Sequence, residues 1–127
     1  MTNTMNTQVT LNDSHPHPAK YYPVFAVDQS KLVIGEVYIY IVGSERQGRS
    51  YAYIDDLKVS ESARGMGVAR MLMERAHEIA IRESCYKVVA NSHQEREAAR
   101  ALYASLGYCA HGTEFRLDLG SKVKSVK

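Results

Sequence analysis

The chain has 127 residues, 45% of them hydrophobic and 24% charged, a composition that fits one soluble globular domain and excludes disordered, collagenous and membrane classes. A formal net charge of +2 is too small to argue for nucleic acid or an anionic membrane as partner. Cys85 and Cys109 lack a CxxC spacing and clustered histidines, so no metal site is expected. Without a leader pattern or an apolar run of bilayer length, the expected location is cytoplasmic.

Residues 1–20, rich in Thr, Asn, Ser, His and Pro, have only a weak alternation at Gln8 to Leu11 and predict a mobile arm. β-Branched and aromatic residues at 24–27 and 32–42, separated by Asp28, Gln29, Ser30 and Lys31, predict an antiparallel hairpin. The polar residues 43–48 make a second turn before a third strand over about 50–59. After Gly67 the period changes. Val68, Leu72, Ala76 and Ile79 form the apolar stripe of a long helix that ends near Ser84. Residues 86–90 resume a β pattern across a βαβ crossover, so parallel pairing is expected there. A second helix over 95–106 is closed by Gly107, and a last strand is expected over 114–119. The order β, β, β, α, β, α, β describes a mixed α/β domain over residues 21–120, followed by a basic tail at 121–127 with Lys122, Lys124 and Lys127.

Between the third strand and the first helix stands Arg64-Gly65-Met66-Gly67-Val68-Ala69-Arg70. Two glycines let the backbone approach a ligand closely, and the N–H groups of the helix's first turn point at whatever lies there. The helix dipole and the charges of Arg64 and Arg70 suit a pyrophosphate. A glycine turn with two surface arginines is the alternative. The dinucleotide fingerprint G-x-G-x-x-G fails because its third glycine would be Arg70, and no G-K-[ST] follows for a triphosphate loop.

The segment does match R-x-x-G-x-A, a form of the Q/R-x-x-G-x-G/A signature, and on it residues 22–119 resemble the GNAT superfamily of acetyl-CoA-dependent N-acetyltransferases. The resemblance implies a mostly antiparallel mixed sheet with a central splayed strand pair, flanking helices, and reduced or absent N-terminal helices. It implies acetyl-CoA as cosubstrate, bound by Leu57, Lys58, Val59, the loop from Arg64 to Arg70 and Asn91. Tyr53-Ile54-Asp55-Asp56-Leu57-Lys58-Val59 is similar to the strand that pairs with the pantetheine arm. Ala101-Leu102-Tyr103-Ala104-Ser105-Leu106-Gly107-Tyr108 is similar to LYxxLGF, whose Tyr commonly protonates the departing thiolate, and Tyr103 inherits that role. The nearest branch in motif is that of the glucosamine-phosphate N-acetyltransferases, but Asn91 stands where that branch often has Asp, so the amino-sugar substrate is not implied. Arg96 stands where many members have Asn.

Acetyl transfer needs a neutral amine, and alkyl amines with a pKa near roughly 10 require a base. Asp55 and Asp56 are the candidates, with Asp55 ranked first. Strand alternation puts them on opposite faces unless a bulge intervenes. A backbone N–H near Leu57 or Lys58 would meet the oxyanion. The alternatives are two exposed strand carboxylates with water as base, and Tyr103 as a packing aromatic. His77, His93 and His111 receive no role. The partners are therefore acetyl-CoA and an amine acceptor, small molecule or protein, with an open acceptor site that a second subunit of a homodimer could complete. The competing function is a noncatalytic acyl-CoA-binding regulatory module. Nucleic-acid binding through Arg46, Arg49 and the lysine tail lacks a recognition pattern.

Overall fold

Alternating apolar and polar residues build the first three strands, β1 (Lys20–Val27), β2 (Val33–Ser44) and β3 (Arg49–Val59), in the computed structural model, which describes residues 8–44, 48–92 and 97–120. A 3-10 turn at Glu61–Ala63 leads to α1 (Val68–Arg82), β4 (Cys85–Ala90) and α2 (Glu97–Ser105). The sheet order is β1-β2-β3-β4; the first two pairings are antiparallel and β3 with β4 is parallel. This is the mixed, mostly antiparallel sheet with flanking helices expected from the sequence. No helix among the described residues is long and apolar enough to cross a membrane.

The hairpin turn is closed by Asp28, whose Oδ1 accepts from the backbone N–H groups of Ser30 at 2.8 Å and Leu32 at 3.0 Å, while Lys31 takes a φ of 69°. In β2 the odd positions Val37, Ile39 and Ile41 are buried, and they meet Ala52 and Ile54 of β3 and Val68, Leu72, Met73, Ala76, Ile79 and Ala80 of α1. The stripe read in the sequence is thus the face that packs. At its far end α1 is fastened to β1: Glu83 accepts from Lys20 Nζ at 2.9 Å and from the Tyr22 hydroxyl.

One expectation is corrected and others fall outside the described residues. Residues 114–119 form no strand, and Phe115, Leu117 and Leu119 are exposed. Their alternation defines two faces, but a strand also needs a ladder partner, and here the segment has none. Residues 8–19 are exposed and carry neither helix nor strand. Residues 1–7, His93 to Arg96 and the lysine tail lie outside the described residues.

The helix can lie close to the sheet because Gly35 has no side chain. A Cβ there would stand 3.0 Å from Leu72 Cδ1, 3.0 Å from Val68 Cγ1 and 3.2 Å from Lys58 O. Gly35→Ala is expected to lower stability by about 1–3 kcal/mol through overpacking. Gly43→Ala, whose Cβ would find nothing nearer than Ser50 Oγ at 3.7 Å, should change stability by less than about 0.5 kcal/mol. Urea unfolding midpoints of the two variants check this contrast.

Candidate active site

Ser60 N–H still bonds Ile34 O at 2.8 Å, so β3 stays paired with β2 to the edge of the loop before the chain turns away. Gly65 and Gly67 both take φ of 80°, which L side chains rarely adopt, and a Cβ at either would meet nothing within 4 Å. Their role is to set the backbone conformation in front of open space. Behind them α1 begins with no capping side chain and no acidic residue in its first turn. A helix of this kind ordinarily satisfies its first N–H groups with a Ser, Thr, Asp or Asn side chain. Here the donors of Val68, Ala69 and Arg70 are presented outward, with the positive end of the dipole behind them.

The two arginines differ. Arg64 is exposed at the loop's entrance. Arg70 Nη2 donates to Ser105 Oγ at 2.7 Å, and that hydroxyl donates to Leu102 O, so Arg70 also ties α1 to the end of α2. This tie has no sequence signal.

β4 stops at Ala90, which pairs with Ile54, so residues 55–59 of β3 have no β4 partner. Leu57, Lys58 and Val59 lie in this unpaired stretch, the place expected for a ligand that borrows strand hydrogen bonds. At its start is a bulge. Lys58 pairs with Glu36 and Asp55 with Tyr38, so β3 carries one residue more than β2 between those pairs, and Asp56 takes φ of 55°. Ile54, Leu57 and Val59 all face the core. The two residues between Ile54 and Leu57 therefore both point away from it. Simple alternation would separate Asp55 and Asp56; the bulge puts both carboxylates on the face opposite α1. Burial first, and then the charge of Asp56, raises the Asp55 carboxyl above its ordinary value.

Asn91, just past β4, donates from Nδ2 to the Tyr53 hydroxyl at 3.0 Å and so bridges the end of β4 to β3. Tyr103 is on the other side of the sheet. It packs on the core with α1, its ring centroid 5.4 Å from that of Tyr108. Tyr108 and His77 stand 2.6 Å apart, Oη to Nε2. Burial pushes the Tyr108 hydroxyl up to about 12, with Tyr103 adding to it, and burial lowers the His77 imidazole. The phenol thus keeps its proton beside a neutral imidazole. The structure joins Asp55 with Asp56, and Asn91 with Tyr53, but puts Tyr103 and the carboxylates on opposite faces. An open groove of about 490 Å³ lies elsewhere, along the outer edge of β4 and lined by His77, Ile81, Tyr86, Leu106 and Tyr108.

The profile described as "Acetyltransferase (GNAT) family" matches residues 4–108. A curated protein of Trypanosoma brucei brucei named glucosamine 6-phosphate N-acetyltransferase is 38% identical over 74 residues, covering 58% of this chain and 48% of that protein. The chain spans about half the length of the curated relatives it matches. The crystal structure of a Trypanosoma brucei acetyltransferase superposes with a TM-score of 0.70 at 30% identity, covering 78% of this chain and 69% of the other. An aminoglycoside acetyltransferase from an uncultured soil metagenomic sample gives a TM-score of 0.72 at 25% identity, covering 79% and 66%.

The raised Asp55 carboxyl sets the sign of a pH effect. Its folded value lies above the unfolded one, so the stability it contributes is complete below the ordinary value of 3.8 and is lost as pH rises through the folded value. Asp55→Asn should therefore raise the melting temperature at neutral pH, and the gain should vanish in melts below about pH 4.

Proposed function

The chain belongs to the acetyltransferase (GNAT) family, and we propose that it moves the acetyl group of acetyl-CoA to a primary amine by direct attack in a ternary complex. The observation that carries this reading is the uncapped start of α1 behind two left-handed glycines, placed beside the stretch of β3 that β4 leaves unpaired. Arg64 and the amides of residues 68–70 hold the pyrophosphate, assisted by Arg70. The backbone of Leu57, Lys58 and Val59 takes the pantetheine arm, with Met66 at the loop's rim and Asn91 at the end of β4.

Asp55 takes a proton from the substrate ammonium, directly or through water, and burial, with the charge of Asp56, raises its carboxyl in the direction that favours this. The amine lone pair then attacks the thioester carbonyl carbon, and a backbone N–H at Leu57 or Lys58 stabilises the oxyanion. As the C–S bond breaks, its electron pair goes to sulfur, Tyr103 supplies a proton to the thiolate, and the surplus proton on the attacking nitrogen leaves to water, so that the neutral amide forms. The acceptor is a primary amine, and the setting is cytoplasmic. A homodimer that completes the acceptor site belongs to the same reading. A noncatalytic acyl-CoA-binding module would need the loop but no base. The paired carboxylates at the bulge favour transfer.

Calorimetry with acetyl-CoA tests the loop, and CoA release with a panel of amines tests the transfer. Arg64→Ala should weaken acetyl-CoA binding about tenfold, the loss of one charge-assisted contact. Asp55→Asn should leave that affinity intact and lower amine-dependent CoA release by about 100-fold. Unchanged binding in Arg64→Ala, or full release in Asp55→Asn, would remove those residues from their roles.

A further inference from the structure

The helices cover one face of the sheet. On the other face, the even positions of β2 and the odd positions of β1 and β3 bring tyrosines together. Tyr21 stacks on Tyr38 with centroids 6.0 Å apart and planes 5° apart, and its ring lies 4.9 Å from that of Tyr40. Tyr40 lies 6.5 Å from Tyr53, whose hydroxyl is fixed by Asn91. The row crosses three neighbouring strands and so extends roughly 10 Å. It ends at the bulge, where Asp55 and Asp56 point to the same side.

The charges on this face are unbalanced. Among the described residues neither Asp55 nor Asp56 makes an ion pair, and no Lys or Arg stands over the rings of Tyr21, Tyr38, Tyr40 or Tyr53. Farther along the same face, the protein supplies a cation of its own, with Lys87 Nζ 5.2 Å from the Tyr51 ring. Glu36 adds a third carboxylate on this face, hydrogen-bonded to the Tyr38 hydroxyl. Glu114 is also close enough to act on Asp55, so the surplus beside the four electron-rich rings is acidic, with Asp55 and Asp56 at its centre. Ring faces and carboxylates both attract ammonium groups and repel phosphate.

We infer that this tyrosine row with Asp55 and Asp56 is the acceptor subsite, and that it takes a linear aliphatic amine with two or more ammonium groups rather than a phosphate-bearing acceptor. One ammonium sits at Asp55, within reach of the transfer described above, while the next rests over the Tyr40 and Tyr21 rings. Partial desolvation between the strands strengthens both contacts. The inference rests on the transferase reading for its catalytic meaning, but the subsite binds amine whether or not acetyl-CoA is present.

The test is a spermidine titration of the full chain, followed through the tyrosine ring signals by NMR, with and without acetyl-CoA, and a parallel titration with glucosamine 6-phosphate. Spermidine is expected to shift the Tyr40 and Tyr53 signals saturably, and glucosamine 6-phosphate to shift them at least about tenfold more weakly. Tyr40→Leu should weaken spermidine binding about tenfold, and Tyr40→Phe, which keeps the ring, should leave it within about twofold. If spermidine leaves the rings unmoved, if the phosphosugar matches it, or if Tyr40→Phe loses as much as Tyr40→Leu, the subsite is overturned. The wild-type titrations decide even if Tyr40→Leu fails to fold. Saturable ring shifts in a chain that binds no acetyl-CoA would sustain the amine site and refute the transferase. Amine-dependent CoA release with unmoved rings would do the reverse.

Discussion

The close seating of α1 on β2 at Gly35 governs the rest of the molecule. Val68 and Leu72 occupy the space where a side chain at 35 would be, and they are the first two members of the helix's apolar stripe. The helix therefore meets the sheet by its first turn. That contact brings the uncapped N–H groups of residues 68–70 to the end of β3, across a loop of a few residues whose φ values only glycine adopts readily. A helix held farther off would leave its dipole directed at solvent away from the strand, and the loop would be an ordinary connection. Ser105 secures the same end of α1 from the other side by accepting from Arg70.

A second constraint acts within β3. Its pairing with β4 ends at Ile54, and one residue later the bulge with Asp56 at positive φ begins. A left-handed Asp is sparsely populated and costs on the order of 1 kcal/mol. The distortion turns both carboxylates to one face and bends the strand where its neighbour is absent. Burial and then the charge of Asp56 disfavour the charge of Asp55, which is poor for stability and would suit the base proposed above. The face they join is also the aromatic one, so charge and ring surfaces converge on the opening where acetyl transfer would take place.

Much of the architecture was legible because it follows from period. The stripe at Val68, Leu72, Ala76 and Ile79 could only be a helix, and a helix between two β patterns required a crossover to a parallel strand. The loop could be read because its two glycines and two arginines are local chemistry. The bulge was not legible, because Asp56 is no glycine and its φ is set by register with β2. The strand read at 114–119 failed for a related reason: Phe115, Leu117 and Leu119 alternate, but alternation does not name a ladder partner. The tyrosine row was visible as Tyr38, Tyr40, Tyr51 and Tyr53 at period two. Its meaning depended on knowing which face α1 covers, and that is a tertiary fact. Tyr103 came from resemblance alone, and its position across the sheet from Asp55 could not have been read from either motif.

Amide hydrogen exchange measured with and without acetyl-CoA tests the central claim most directly. If the first turn of α1 and the unpaired end of β3 together hold the cosubstrate, exchange at Val68, Ala69 and Arg70 and within residues 57–59 will slow when acetyl-CoA is added, while the Asp28 turn is unaffected. Unchanged exchange at the start of α1, with protection appearing only along the outer groove of β4, would contradict the account.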